Sequence, residues 1–87
     1  MNVGMLWFDN DPKAALATKV ERAATYYRTK YGRTPTLCFV HPTTLSAAGL
    51  LEERDGKGYL AAGIEVRSHR SVLPNHFWIG VNGGSGA

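Results

Sequence analysis

The polar groups best placed for chemistry are Asp9, Asp11 and His41. Asp9-Asn10-Asp11 follows an apolar run ending at Phe8, and His41 follows a second ending at Val40, so both sets leave the carboxyl end of an expected strand. In open α/β sheets, ligands bind beyond that end of parallel strands. If the two strands are neighbours, two carboxylates and an imidazole converge, a set able to hold a divalent cation and activate water for phosphodiester hydrolysis. Each residue also has a plainer role: Asp11 caps a helix, Asp9 forms a turn and His41 ends a strand before proline.

A second pattern is electrostatic. Lys19, Arg22, Tyr26 and Lys30 recur at spacings of three, four and four, one continuous stripe on a helix, and Arg33 extends it. Such a stripe neutralises phosphates while Tyr26 stacks on an unpaired base, the footprint of a nucleic-acid-binding accessory protein. The plainer reading is a solvated flank whose long side chains lay their stems on apolar surface. Arg67, His69, Arg70 and His76 form a further basic group, but the seven-residue interval between its histidines matches no standard zinc spacing. Cys38, the lone cysteine, lies in the apolar run Leu37 to Val40 and reads as buried and inert. The glycines match no phosphate-binding loop or dinucleotide fingerprint, and no Ser or Cys sits in a nucleophile elbow, so neither a cofactor nor a metal is expected.

These groups need a scaffold, and its clearest element is the run from Asp11 to Gly32. Asp11 suits an N-cap, Pro12 the first helical position and Gly32 a left-handed C-terminal stop. A period of about 100° per residue puts Leu16, Val20, Ala23, Ala24, Tyr27 and Tyr31 on one face, predicting a helix from Pro12 to Tyr31 laid on a core. Val3 to Phe8 and Thr36 to His41 lack alternation and read as strands covered on both faces, the first of them central. Strand, helix and strand with short connections predict a βαβ unit with parallel pairing. Pro42 ends the second strand, and Thr43 or Thr44 caps a short helix or loop holding Leu45, Ala48 and Leu51. Glu52 to Gly58 reads as an exposed loop with an Asp55-Gly56 turn. Ile64 and Val66 alternate with Glu65 and Arg67 in a strand near an edge, Leu73-Pro74-Asn75 turns, and His76 to Val81 is the last strand.

The fold expected is a small two-layer α/β domain at the α+β boundary. A β-α-β unit is followed by a short helix or loop and a β-hairpin, giving a mixed four-stranded sheet with one long helix on one face. Residues 1–81 form it, and 82–87, NGGSGA, read as a flexible Gly/Ser-rich tail. With 87 residues, 44% hydrophobic, 20% charged and a net charge of +3, the chain excludes collagen-like and wholly disordered classes. MNVGMLWF lacks the basic region and small-residue cleavage site of a signal peptide, and no apolar run reaches membrane-spanning length, so a cytoplasmic protein is expected.

Tyr31-Gly32 through Val40-His41-Pro42, then Asp55-Gly56-Lys57-Gly58-Tyr59-Leu60 and Gly63-Ile64-Glu65-Val66, resemble part of tailed-phage major capsid proteins, chains several times longer with a shell-forming fold.

One long helix covers one face of four strands, yet large apolar side chains fall on both. Val3, Met5 and Trp7 alternate with Leu6 and Phe8, and Trp78 opposes Phe77 and Ile79. That surplus predicts a non-catalytic interaction module that self-associates, at least as a dimer, or binds a protein partner through an uncovered sheet face, with Trp7 and Trp78 at the interface. The alternatives are the nucleic-acid reading of the stripe and a small metal-dependent phosphodiesterase.

Overall fold

The alternation of apolar residues is resolved into two layers in the computed structural model, which describes residues 3–49 and 59–81. The elements are β1 (Val3–Phe8), α1 (Leu16–Tyr31), β2 (Leu37–Val40), α2 (Pro42–Ala47), β3 (Tyr59–Ala61), β4 (Ile64–Ser68) and β5 (His76–Val81). They form a mixed α/β domain, one sheet with its helices packed on one face. Expectations for Leu51, the Asp55-Gly56 turn and the 82–87 tail fall outside the described residues.

The helix face is as its spacing requires. Leu16, Val20, Ala23, Ala24 and Tyr27 are buried, and Tyr31 lies at the margin with its ring 4.7 Å from that of Tyr27. Gly32 takes the left-handed conformation at φ 70°, and its N–H donates to Arg28 O at 2.8 Å. The start of α1 differs from the expectation. Asp11 accepts from the Lys13 N–H at 2.9 Å in a local turn, and the chain stays extended at Ala15 (ψ 159°) before the helix begins at Leu16. A short acidic side chain that bonds the amide two residues on offers the backbone an alternative to the helix, and here that alternative wins. The second helix, by contrast, is capped earlier than expected: His41 is its N-cap, with Nδ1 accepting from Thr43 N–H at 3.1 Å, and neither Thr43 nor Thr44 plays that part.

Among the described residues the sheet has five strands in the order β1-β5-β2-β4-β3, not the four expected. β1 and β2 do run in the same direction, because each is antiparallel to β5, but they are not paired: β5 lies between them. The expected β1–β2 parallel pairing is thus replaced by a β2–β4 parallel pair, and β1 is an edge strand instead of a central one. The hairpin also moves. β4 and β5 are separated by β2, and the true hairpin joins β3 to β4 through Ala62-Gly63, both at positive φ (52° and 77°). That pair of left-handed residues matches the tight two-residue turn whose twist suits antiparallel strands. Asn75, at φ 64° after Pro74, makes the expected turn into β5, closed by His76 N–H to Leu73 O at 3.1 Å.

Register assigns each side chain to a layer. Met5, Phe77, Ile79, Cys38, Val40, Ile64, Val66 and Ala61 meet the helices in one buried cluster with Val20, Ala23, Tyr27 and Leu45. Among the described residues no helix is long and apolar enough to cross a membrane.

Candidate functional site

Among the described residues the opposite face of the sheet carries no helix, and much of it is apolar. Direct cross-strand pairs put Leu6 beside Trp78 and Trp78 beside Phe39, with Phe8 next to His76 at one end and Leu60 next to Glu65 at the other. Leu60 is 70% exposed, Leu6 58%, Phe8 55% and Trp78 37%. Side chains standing on one face of a twisted sheet at a strand spacing of about 4.8 Å form a continuous surface, so Leu6, Phe8, Trp78 and Phe39 make one apolar band across β1, β5 and β2, and the Glu65–Arg67 pair of β4 separates it from Leu60 on β3. Gly4 and Gly80 interrupt the band with bare backbone, and the Trp78 indole lies over Gly4. Charge on this face is balanced: Arg67 Nε donates to Glu65 Oε2. Two histidines border the aromatics, His69 with its ring 5.5 Å from Phe39 and His76 with its ring 5.0 Å from Phe8. His76 Nδ1 lies 2.8 Å from Pro74 O, and His69 Nδ1 accepts from Ser71 N–H at 3.1 Å, so each imidazole is tied to its own turn.

Of the two expected interface tryptophans, Trp78 lies in this band. Trp7 does not: it stands on the helix side, its ring 5.2 Å from that of Tyr26, and its Nε1 is buried with no hydrogen-bond partner among the described residues. The period of two placed Leu6, Phe8 and Trp78 correctly against Met5, Phe77 and Ile79, but which layer the helix covers was not written in it.

Asp9, Asp11 and His41 all leave the same end of the sheet, as expected, but β5 separates the strands that carry them. The condition for convergence, adjacent strands, therefore fails. Asp9, itself buried, instead accepts Asp11 N–H through Oδ1 (3.1 Å) and Arg22 Nη1–H through Oδ2 (3.3 Å), and the same guanidinium donates to Asp11 Oδ2 at 3.2 Å. One arginine of α1 thus clamps both carboxylates of the β1–α1 turn. The Lys13 amide and then Arg22 hold the Asp11 carboxyl below its ordinary value, while the Asp11 and Asp9 bonds push Arg22 up. His41 is occupied as the α2 cap, its Nδ1 also 2.7 Å from Thr43 Oγ1. Among the described residues no group of three His, Cys, Asp or Glu side chains is arranged to hold a metal ion.

The basic stripe lies on the outer side of α1, with Arg22, Tyr26, Lys30 and Arg33 exposed and Lys19 half-buried. Its members are largely engaged: Arg22 with two aspartates, Tyr26 with Trp7, and Lys30 Nζ 5.4 Å from the Tyr31 ring centroid. Lys19 lines a cleft of about 600 Å³ between the start of α1 and α2, together with Ala15, Thr43, Thr44 and Asn75. Arg22, the central charge of the stripe, is thus paired with two carboxylates of its own chain. Sequence reasoning missed that pair because its partners lie 13 and 11 positions away.

No protein family model, curated protein or solved structure matches the chain. The capsid-like run therefore carries no assignment.

Proposed function

We propose that the chain is an assembly module that joins a second copy of itself through the uncovered face of its sheet. The observation that supports this reading is the band of Leu6, Phe8, Trp78 and Phe39, with Leu60 beyond the Glu65–Arg67 pair, on a sheet layer without helices among the described residues. Leu6, Phe8, Trp78 and Leu60, half exposed, each forfeit roughly 1 kcal/mol of burial, a large share for a domain whose total stability is about 5 to 15 kcal/mol. A second copy suits the band because its charges are already balanced: the Glu65–Arg67 pair leaves no net sign for a polyanion or a strongly basic partner to read. Two-fold association also buries the same patch on both chains with one set of residues. Five strands of about five residues present a flat area on the order of 400 Å², below the roughly 800 Å² per partner of a tight complex. An interface of that size suits a weak, reversible dimer.

Sedimentation over a concentration series tests this. The parent chain should pass from one mass to two in the micromolar range, while Phe8→Lys with Leu60→Lys, both at exposed positions, should keep the circular dichroism of the parent and the mass of a single chain. A parent that stays at one mass at hundreds of micromolar refutes the proposal.

A further inference from the structure

Among the described residues no strand pairs with the outer side of β1. Asp9 N–H donates to Asn75 O at 3.0 Å, continuing the β1–β5 ladder one step past Phe8–His76. Hydrogen-bonded pairs alternate in an antiparallel ladder, so Trp7–Phe77, Met5–Ile79 and Val3–Val81 are the bonded pairs. Gly4, Leu6 and Phe8 therefore turn their N–H and C=O groups away from β5. The far side of β5 agrees, for Gly80, the partner of Gly4, gives its carbonyl to Thr36 N–H at 2.9 Å, on the β2 side. Natural edges are protected by charge, proline, bulges or shortness. β1 has none of these: six residues, VGMLWF, paired without interruption and free of any charge. The opposite edge, β3, has three residues.

Resting on the reading that the chain assembles with itself, we propose that two copies first pair β1 to β1 in antiparallel fashion about a two-fold axis at Leu6, making one ten-stranded sheet. Its two uncovered faces lie side by side on one surface, still open to the face-to-face contact proposed above. Only one register satisfies every outward group. With Leu6 opposite Leu6, Gly4 of each copy faces Phe8 of the other, and all three outward residues on both chains find both backbone partners. A shift by two residues in either direction leaves one end of β1 facing residues beyond the strand. The chosen register also fits the side chains. Leu6 meets its own copy on the uncovered face, and the Phe8 ring of one chain reaches the bare Gly4 of the other, beside the Trp78 indole lying over it. The apolar band thereby becomes continuous across both chains.

Cross-linking and proline substitution test the pairing together. In this register the two Leu6 Cα atoms lie about 5.5 Å apart, within the roughly 4.4–6.8 Å that a disulfide spans. The two Phe8 Cα atoms lie about 14 Å apart. Mild oxidation should convert most of Leu6→Cys to a covalent dimer on a non-reducing gel and leave Phe8→Cys and the parent, whose Cys38 is buried, uncross-linked. Leu6→Pro removes an N–H that β5 does not use and should reduce the parent dimer to one chain, whereas Leu6→Ala keeps it. Cross-linking of Phe8→Cys as efficient as that of Leu6→Cys overturns the register. A parent dimer in which Leu60→Cys cross-links and Leu6→Cys does not overturns the edge pairing while leaving face-to-face assembly standing. A parent of one mass at every concentration removes both. Should Leu6→Pro fail to fold, the paired cysteine results decide alone.

Discussion

Gly4→Ala isolates the contact between the bare strand backbone and Trp78. Gly4 is not among the residues at positive φ, so its backbone conformation admits any residue; what excludes a side chain is space. A Cβ built there would lie 2.6 Å from both Cε2 and Cζ2 of Trp78 and 3.0 Å from Nε1. Ordinary carbon contacts fall near 3.5–4.0 Å, so the indole must retreat by about 1 Å or leave the strand. Overpacking of this kind destabilises by about 1–3 kcal/mol, and relief of the glycine penalty within a strand returns about 0.5–1 kcal/mol. The net loss is therefore about 1 to 2 kcal/mol, which for a domain of this size lowers the melting temperature by roughly 5–10 °C. The assay is thermal melting combined with fluorescence in a Trp7→Phe background, where Trp78 is the lone tryptophan. Gly4→Ala should lower the melting temperature and shift the Trp78 emission to the red as the ring moves toward water. An unchanged melting temperature together with an unshifted spectrum would mean that the indole does not lie on Gly4, and the layout of the uncovered face would need revision.

Two further outcomes follow from the charged and buried groups. Burial pushes the Cys38 thiol up to about 12 from an ordinary 9.0, so the folded chain keeps the thiol neutral while the unfolded chain ionises it. That contribution to stability is complete below pH 9 and declines as the pH rises toward 12, and Cys38→Ala should flatten the alkaline fall in melting temperature; native protein should also resist a thiol reagent until it is unfolded. Asp11 works in the opposite sense: its folded carboxyl is held below the ordinary 3.8 by the Lys13 amide and Arg22. Its stabilisation is present above that ordinary value and is lost as the pH falls through the folded one, so Asp11→Asn should show a shallower loss of melting temperature between pH 5 and 3 than the parent, and an identical slope would remove the Arg22 clamp from the account.

The parts of the fold legible in the sequence were those decided by neighbours. Val20, Ala23, Ala24 and Tyr27 share a face because their spacing is helical, and Gly32 ends α1 because little else takes φ 70° without strain. The competition at Asp11-Pro12 was also local, yet its outcome turned on which amide the carboxylate reached and on an arginine about two turns into the helix. Strand order was not legible. Nothing in β1 or β2 distinguishes a partner in the next strand from one at the far end of the chain, so the insertion of β5 was invisible. Tyr59-Leu60-Ala61 was missed because three residues carry no period, and Ala62 gives none of the usual signal for a left-handed turn position. For the site, alternation separated Leu6 and Phe8 from Met5 and Trp7, and Trp78 from Phe77 and Ile79, without saying which set meets the core, whereas the roles of Asp9, Asp11 and His41 depended on strand adjacency and were misjudged with it.

The slot filled by β5 has a consequence for the order of events as the chain acquires its structure. Val3 pairs with Val81, the first and last residues of the sheet, and β5 bonds β1 on one side and β2 on the other. Until that strand arrives, β1 and the β2–β4–β3 group are two fragments with no ladder between them, linked only through α1. A chain emerging from the ribosome thus carries an open gap in its sheet until its final strand is released, and closure spans nearly the whole length of the domain. Contacts this distant slow the search for the native state. While the gap is open, the backbone groups that β5 will take on β1 and β2 face water alongside the edge that stays free afterwards. The nascent molecule therefore presents three such borders and the finished one a single long border, so premature encounters between unfinished copies are the characteristic hazard of this topology.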